Sequence, residues 1–547
     1  MKIKFWLPAL LFLALFFFYP LVKILALGVN SPDFLALTSL KVATGSLGFT
    51  LYQALLSMLF TLVIGLPAAY IFARYDFHGK SILRALTAVP FMLPTVVVAA
   101  GFNALLGTHG WLNITLMSAF SLETPPIDIL YSLKAILLAH VFYNTTIVIR
   151  IVGNALSQLD PRLNNAARLL GANRWQAFWR VTFPILRPAI FSASLLVFLF
   201  DFTSFGVILL LGGAKFATLE VEIYLQTLYY LNLPVAALLS IIQLLCTLVF
   251  SILYSKMLTR TKYQKSAKMP TRRVKSTPEK LFLIFSIIIL IGLFLLPMLA
   301  LPLRSVTQID GDRGTRDLSL SADYYRELFV NSRGSRFYVP PITAAKNSLQ
   351  YAAITVFLSL LLGFPVAASL AKPTRLDRLL DPLLMLPLGS SAVTLGLGFI
   401  ISFSKPPLNW VASPWLIPLA HTMIALPFVI RALQPALANI PQRYREASAM
   451  LGASPLRTWF EIDFPIILRA ILSAATFAFT VSLGEFGATS LLARPEYPTI
   501  PTAIYRFLSQ PGALNYGQAM AMATILMLLT TLGILVIERV RVAGAEW

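Results

Sequence analysis

The stretch NAARLLG at residues 165–171 returns in a related form, EASAMLG, at residues 446–452. A Phe-Pro pair follows each stretch at the same distance, Phe183-Pro184 in the first copy and Phe464-Pro465 in the second. Every residue of the second copy lies 281 positions after its counterpart, and each copy sits in a basic segment between long apolar segments. This spacing predicts two equivalent loops in two repeated halves of the chain.

The repetition extends over most of each half. Matching pairs are Gly65 and Gly363, Pro90 and Pro387, Gly101 and Gly398, His140 and His421, Arg150 and Arg431, Phe205 and Phe486, and Tyr224 and Tyr505. A basic connector without apolar periodicity separates the halves. We therefore expect a first domain over residues 1–257, a linker over 258–280 and a second domain over 281–547.

The composition is that of an integral membrane protein. Of 547 residues, 57% are hydrophobic and only 12% are charged, which leaves too little polar surface to cover a soluble fold. About twelve apolar segments are long enough to cross the bilayer as helices, six in each half. They are 5–29, 47–73, 85–108, 132–155, 187–212, 234–256, 281–303, 347–371, 379–404, 413–436, 467–493 and 515–537. The predicted fold class is all-α, with two six-helix repeats.

The net charge of +21 has an uneven distribution along the chain. With a cytoplasmic amino terminus, the cytoplasmic segments hold 28 Lys or Arg and the external loops hold 12. This positive-inside bias predicts that both termini lie in the cytoplasm. The expected location is the cell membrane of a prokaryote, that is, its inner or plasma membrane. The bias also accounts for the basic charge through contact with membrane lipid, so no nucleic-acid partner is expected. The lone Cys246 lies in an apolar segment and predicts neither a disulfide nor a cysteine metal site.

An even number of helices in each half places both halves in the same orientation. Such parallel repeats can be related by a pseudo-two-fold axis along the membrane normal, with a path for cargo between them. The two repeated loops would then present two similar cytoplasmic surfaces, which suits a two-fold partner.

The repeated loops predict short helices outside the membrane. In the second copy, residues 445–451 favour a helix that ends at Gly452, because glycine readily adopts the left-handed conformation of a helix terminus. A second short helix is expected from Pro455 to Ile462, and the Phe-Pro pair would then return the chain to the membrane. The first copy follows the same plan, with Trp175 and Trp179 facing a partner or lipid headgroups.

The motif, placed between the fourth and fifth helices of a six-helix unit, resembles the signature of the transmembrane subunits of binding-protein-dependent ABC importers. The resemblance covers both halves and implies the type I importer permease architecture. In that family the loop is a coupling helix that inserts into the ATP-hydrolysing subunit. The positions that inherit this role are Asn165, Ala166, Ala167, Gly171, Pro184, Glu446, Ala447, Ser448, Gly452 and Pro465.

The resemblance also implies partners. The first is an ABC ATPase in two copies, which would use ATP and Mg²⁺. The second is an extracytoplasmic substrate-binding protein that docks on outer loops including residues 310–336. This chain itself would need no cofactor. Asn165 departs from the pattern, since the second copy has Glu446, and this predicts asymmetric docking. Two fused halves are similar to the ferric-iron and thiamine permeases of the family, so the expected cargo is a small molecule or an ion, either thiamine or ferric iron.

Four polar residues at membrane depth are candidates for the translocation path. Asp201 and Glu485 are expected in the fifth and eleventh spans, where a carboxyl group is costly unless it faces a cavity or a partner. His140 and His421 occupy equivalent positions, but two imidazoles fall short of a metal site, so interhelical hydrogen bonding is the favoured interpretation and no metal is expected.

Two other classes of protein remain as alternatives. A gradient-driven secondary transporter can also have two parallel six-helix halves, although the paired loops would then be unexplained. A membrane-embedded enzyme would need clustered acids, bases or metal ligands, which the sequence does not supply. The segment Gly79-Lys80-Ser81 resembles the end of a phosphate-binding loop, but Arg74 stands where a glycine is required, so no ATPase is expected in this chain.

Overall fold

The computed structural model describes residues 3–31, 34, 36–260, 271–274, 276–309, 318–330, 340–404 and 409–540. Within these residues the chain is almost entirely helical, and its strands form only two short pairs. Parts of two predicted segments, the linker at 258–280 and the outer loop at 310–336, lie outside the described residues.

The first half contains thirteen of the described helices. They are α1 Ile3–Leu13, α2 Tyr19–Asn30, α3 Leu37–Arg74, α4 Lys80–Ala88, α5 Thr95–Leu106, α6 Trp111–Phe120, α7 Leu133–Ser157, α8 Pro161–Leu169, α9 Arg174–Ala177, α10 Phe183–Phe202, α11 Gly206–Leu211, α12 Leu219–Leu228 and α13 Leu233–Arg260. Single π turns over Ala14–Phe18 and Phe178–Thr182 join α1 to α2 and α9 to α10.

The second half repeats this order. Its helices are α14 Thr277–Ser305, α15 Asp323–Arg326, α16 Ile342–Leu370, α17 Arg375–Gly389, α18 Ala392–Phe403, α19 Leu416–Ala438, α20 Gln442–Met450, α21 Pro455–Thr458, α22 Phe464–Gly484, α23 Gly487–Leu492, α24 Ile500–Leu508 and α25 Ala513–Val540. Strand β1 Tyr75–Asp76 pairs in parallel with β2 Arg272–Arg273, and β3 Thr307–Ile309 pairs in antiparallel with β4 Leu318–Leu320.

Eleven helical segments among the described residues are long and apolar enough to span a membrane. The count is twelve if α17 and α18, which meet at a bend of 90°, form one broken span. The ninth predicted span, 379–404, is therefore not a straight helix. Two prolines, Pro382 and Pro387, lie inside α17, and Ser391 begins a new helix by accepting a hydrogen bond from the backbone N–H of Thr394.

The fifth and eleventh spans begin and end earlier than the sequence predicts. They were expected at 187–212 and 467–493, but the continuous helical segments are Trp175–Phe202 and Pro455–Gly484. The residues that follow form the separate short helices α11 and α23. A glycine at the start of each short helix packs too closely on its neighbours for any larger residue, since a Cβ on Gly206 would lie 2.4 Å from Thr95 Oγ1.

Two further short helices, α12 and α24, start inside the helical bundle. The first backbone N–H of α12, at Leu219, donates to Thr50 Oγ1 at 2.9 Å, and that of α24, at Ile500, donates to Ser348 Oγ at 2.9 Å. The two hydroxyl groups lie on the equivalent helices α3 and α16. The repeat therefore includes the anchoring of a buried helix N-terminus in each half.

The first span of each half packs against the other half. Side chains of α1, including Trp6 and Leu13, belong to a buried cluster with residues of α16, α18 and α19. The indole Nε1–H of Trp6 donates to Asp377 Oδ1 at 2.8 Å. Reciprocally, α14 packs on α5, where Pro297 meets Gly101. The domain boundaries stay a prediction, but the packing shows that each half is completed by a helix from the other.

Candidate functional site

The two repeated loops have the same backbone design. Helix α8 begins where Asp160 accepts a hydrogen bond from the Arg162 N–H, with Pro161 as its first residue. It ends at Gly171, whose φ is +87°, and the N–H of Ala172 returns to the Ala167 carbonyl at 3.1 Å.

Helix α20 ends in the same way. Gly452 has φ of +76°, and the Ala453 N–H donates to the Ser448 carbonyl at 3.1 Å. The left-handed glycine and the backbone bond from the second residue beyond the cap form a Schellman turn in each loop. The predicted helix followed by a terminating glycine is thus present in both copies.

Apolar side chains project from both turns into open space. Leu169 and Leu170 are 88% and 89% exposed, and Met450 and Leu451 are 90% and 88% exposed. These four residues lie outside the helical segments that are long and apolar enough to span a membrane. Two pairs of equivalent apolar side chains, each beside a rigid turn, form a surface suited to protein contact.

The predicted motif positions flank this apolar surface. Asn165, Ala166, Glu446 and Ala447 are exposed, Ala167 is half-buried, and Ser448 is buried against Thr458, with 2.8 Å between their hydroxyl oxygens. Asn165 also lines a concavity of about 680 Å³ together with Arg168 and Gly171. Their role in binding an ATPase stays a prediction.

Equivalent polar pairs tie each loop to its membrane helix. In the first loop, Asn164 and Thr182 exchange hydrogen bonds of 3.0 and 3.2 Å. At the matching positions of the second loop, Arg445 donates to Asp463 at 2.9 Å in an ion pair. The second loop therefore has a charged attachment where the first has a neutral one.

The Phe-Pro pairs do not separate a short helix from the membrane helix. A π turn comes immediately before each pair, and the backbone N–H of Phe183 and of Phe464 donates to the carbonyl five residues earlier. Pro184 and Pro465 are the second residues of α10 and α22, each directly after a π turn and inside a continuous helical segment. The predicted second short helix begins at Pro455 as expected, with Ser454 accepting the Arg457 N–H, but its predicted end at Ile462 is wrong, because α21 continues through the π turn into α22.

The buried histidines hold equivalent polar clusters inside their own halves. His140 Nδ1 lies 2.9 Å from Ser57 Oγ, and its Nε2 lies 2.8 Å from Ser204 Oγ. In the second half, His421 Nδ1 lies 2.7 Å from Ser482 Oγ, and its Nε2 lies 2.8 Å from Thr489 Oγ1. All four ring nitrogens have hydrogen-bond partners, which fits the expected interhelical role.

The two carboxyl groups approach equivalent histidines from opposite directions. Asp201, in the last turn of α10, lies 3.4 Å from His140 Nδ1 and accepts a hydrogen bond from Asn144 at 2.6 Å. Glu485, at the break after α22, lies 3.3 Å from His421 Nε2 and accepts the backbone N–H groups of Ala488 and Thr489.

The repeat alignment explains this arrangement. Asp201 and Ser204 correspond to Ser482 and Glu485, so the acid and the hydroxyl have exchanged places while the histidine is retained. In each cluster, the histidine Nε2 contacts the residue that comes directly before a phenylalanine. His140 contacts Ser204, which precedes Phe205, and His421 contacts Glu485, which precedes Phe486. His140, Asp201, His421 and Glu485 are all buried beside these hydrogen-bond partners. Their place on the translocation path stays a prediction.

Four aromatic residues, Phe205, Tyr224, Phe486 and Tyr505, meet where the halves face each other; we call them the aromatic quartet. The rings of Phe205 and Phe486 stack with 5.5 Å between centroids and 27° between planes. Each phenylalanine also contacts the tyrosine of its own half, at 5.4 and 5.5 Å, and the two tyrosines lie 6.5 Å apart. The quartet consists of two pairs of equivalent residues, a stacked pair of phenylalanines and an edge-to-face pair of tyrosines, as expected on a pseudo-two-fold axis.

The sequence identified these four residues only as repeated positions. Their meeting depends on the breaks after α10 and α22, which the predicted continuous spans did not include. The sequence also missed Glu220, a buried carboxyl group at the junction of the halves, because the segment 213–233 was interpreted as an external loop. The anchoring of α12 by Thr50 is what brings this residue into the bundle.

Comparison with known proteins agrees with this architecture. Thiamine transport system permease proteins match over most of the chain: that of Brucella abortus (strain 2308) is 27% identical over 91% of this chain and 88% of its own. The protein of Escherichia coli (strain K12) is 26% identical, over 95% of this chain and 93% of its own. A ferric transport system permease protein of Actinobacillus pleuropneumoniae is 26% identical, over 89% of this chain and 69% of its own.

A family model matches the chain twice, over residues 62–263 and 359–541, and each match contains one repeated loop. The two matches together cover more than half of the chain and follow the repeat described above. The chain belongs to the family described as the binding-protein-dependent transport system inner membrane component.

Proposed function

We propose that this chain is the membrane-spanning subunit of an ATP-driven importer, with two permease halves and two docking loops for a separate ATPase dimer. The observation that carries the proposal is the pair of matched, glycine-terminated loops with apolar side chains almost fully exposed. Such a surface is costly in water unless a partner covers it. Two copies in equivalent positions favour a partner with two-fold symmetry.

The cargo path runs between the halves in this proposal. The aromatic quartet closes the path, since its rings are in contact, and movement of the halves would part them. ATP and Mg²⁺ would bind in the partner ATPase, and the loops would carry its closure to the membrane helices. A docking contact can drive this movement only if it differs between the two ATPase states.

An extracytoplasmic binding protein would deliver the cargo, and both termini of the chain would lie in the cytoplasm. The names of the relatives support thiamine or ferric iron as the cargo. The gradient-driven transporter is the weaker alternative, because it leaves the repeated loops and the family membership unexplained.

The test is reconstitution of the chain with its ATPase and binding protein in liposomes. We expect uptake of thiamine or ferric ion that requires ATP, and that is lost in the Leu170→Glu, Leu451→Glu double variant. Both leucines are exposed, so the substitutions should not disturb folding. Ile82→Glu, at an exposed apolar position of α4 outside the loops, is the matched control. Uptake driven by an ion gradient without ATP would contradict the proposal.

A further inference from the structure

A group of polar side chains is buried where α12, α13 and α18 meet, between the two halves. We call Thr218, Glu220, Ser240, Gln243, Ser391 and Thr394 the Glu220 cluster. Glu220 is 1% exposed, and its carboxyl group accepts hydrogen bonds from the Gln243 amide and from the Ser391 hydroxyl. Since Ser391 belongs to the other half, the carboxyl group bridges the interface that must open in transport.

Several polar atoms of this cluster lack hydrogen-bond partners among the described residues. They are Thr218 Oγ1, Ser240 Oγ, Gln243 Oε1 and Thr394 Oγ1, and all four are buried. A buried polar group without a hydrogen-bond partner destabilises the structure around it. Gln243, which donates to Glu220, carries one of these four atoms, and the others lie on the same three elements, α18 and the start of α12 and α13. Unpaired buried polar atoms at this junction are expected where a ligand or water enters during part of a cycle, rather than in permanently closed packing.

The cluster lies on the inner side of the aromatic quartet. Glu220 is four residues before Tyr224 in α12, a rise of about 6 Å toward the outer end of that helix. Ser391 precedes the twelve residues of α18, which places it about 18 Å below the outer end of that helix, near the middle of the bilayer. A molecule that passed the quartet would therefore meet Glu220 next.

Only one side of the axis carries the carboxyl group and its hydroxyl neighbours on α18. The positions equivalent to Glu220, Ser391 and Thr394 are Pro501, Pro94 and Val97, none of which has a polar side chain. The cluster thus offers a single carboxyl group surrounded by neutral hydroxyl and amide groups. This suits one positive charge, whereas ferric ion requires several anionic ligands.

We propose that the Glu220 cluster is a binding site on the central path for an organic cation of single positive charge, whose ring passes the aromatic quartet as its charge reaches Glu220. This inference rests on the proposed transport function and names its substrate class. Aromatic faces attract both flat rings and cations, so the quartet and the carboxyl group favour the same kind of molecule. Of the cargoes that the relatives' names give, thiamine has this chemistry.

The first test measures thiamine uptake by the reconstituted transporter with Glu220→Gln. The amide keeps the size of the side chain and removes its charge. We expect a loss of about tenfold or more in uptake, while ATP hydrolysis stimulated by the loaded binding protein is retained. Glu222→Gln is the matched control, because Glu222 lies on the same helix and bonds Gln226 instead, and its uptake should stay within about twofold of the unmodified protein.

Unchanged uptake in Glu220→Gln would overturn the proposal. Loss of uptake together with ATP hydrolysis would also overturn it, because the residue would then have a structural role. Ferric uptake by the unmodified protein in place of thiamine would refute the substrate class while leaving ATP-driven transport intact. Absence of any ATP-driven uptake in the unmodified protein would instead refute the proposed function.

A second test locates the site without reference to cargo. Glu220→Cys, made together with Cys246→Ala, has one cysteine, since Cys246 is the only cysteine of the chain. We expect a cationic methanethiosulfonate reagent to modify it during ATP turnover. Complete protection of the cysteine during turnover would place Glu220 off the path and overturn the proposal.

Discussion

At the residue scale, Asp377 joins the first helix of the chain to the second half. Its carboxylate accepts hydrogen bonds from the Ser369 hydroxyl at 2.6 Å and from the Thr374 N–H at 2.7 Å, in addition to the Trp6 indole. The bond to Thr374 completes a capping box at the start of α17. A single buried carboxylate thus fixes a helix start and the position of α1.

Trp6→Phe tests this junction. The change keeps an aromatic ring in the buried cluster but removes the Nε1–H donor, so we expect a loss of about 1–2 kcal/mol in the free energy of unfolding. Unfolding of the detergent-solubilised chain measures it, with Trp415→Phe, at an exposed position, as the control. Equal stability of the two variants would show that the Trp6 hydrogen bond contributes nothing.

Glu485→Ala tests the polar cluster of the second half. The variant removes the acceptor for two backbone N–H groups at the start of α23 and the neighbour of His421, which should cost about 2–4 kcal/mol. Glu461→Ala, at an exposed site in the same half, should cost less than about 0.5 kcal/mol. Similar unfolding midpoints for both variants would contradict this assignment.

The histidine clusters show what the sequence could reveal at this scale. In the alignment of the two halves, His140 and His421 are equivalent. Asp201 aligns three positions before Glu485, so the two acids are not equivalent. The alignment could not show that both carboxyl groups approach equivalent rings. That contact depends on where α10 and α22 end, and an apolar segment that continues past Phe202 gives no signal for the break.

At the element scale, the loop helices α8 and α20 were predictable and the π turns after them were not. A polar helix-forming run followed by glycine has a well-defined local pattern. A π turn needs only one extra residue in a helical turn and has no comparable composition. The Phe-Pro pairs predict a break in the helix, but the helix continues past each of them directly after a π turn.

The Gly171→Ala, Gly452→Ala double variant tests the coupling role of these elements. Each alanine must adopt a positive φ, at a cost of about 1–2 kcal/mol, so the turns that present the apolar side chains should change shape. We expect reduced transport and reduced transport-linked ATP hydrolysis with normal membrane insertion. Gly79→Ala is the control, because Gly79 has φ of +80° and open space around it but lies outside the loops. Preserved transport in the double variant would contradict the coupling role.

At the scale of the whole molecule, the two halves are interdependent. The first span of each half packs on the other, and Phe205 and Phe486 stack across the interface. The number and order of the spans followed from hydrophobic segments and the repeat. The exchange of first helices did not, since apolar composition does not specify which neighbour a membrane helix contacts.

A chain split within residues 261–270 tests this interdependence. Co-expressed halves should assemble and co-purify, because the contacts between them are extensive and the break lies in the basic linker. Each half expressed alone should aggregate, since it lacks the helix that covers its buried surface. Size-exclusion chromatography in detergent measures both outcomes. A monodisperse, stable isolated half would contradict the exchange.

The most direct measurement of the central claim is quantitative mass spectrometry of the chain purified in mild detergent from its native membranes. The two equivalent loops predict about two copies of an ABC ATPase for each chain, and we expect loss of both copies in the Leu170→Glu, Leu451→Glu variant. Recovery of the chain without an ATPase from preparations that still transport would contradict the central claim.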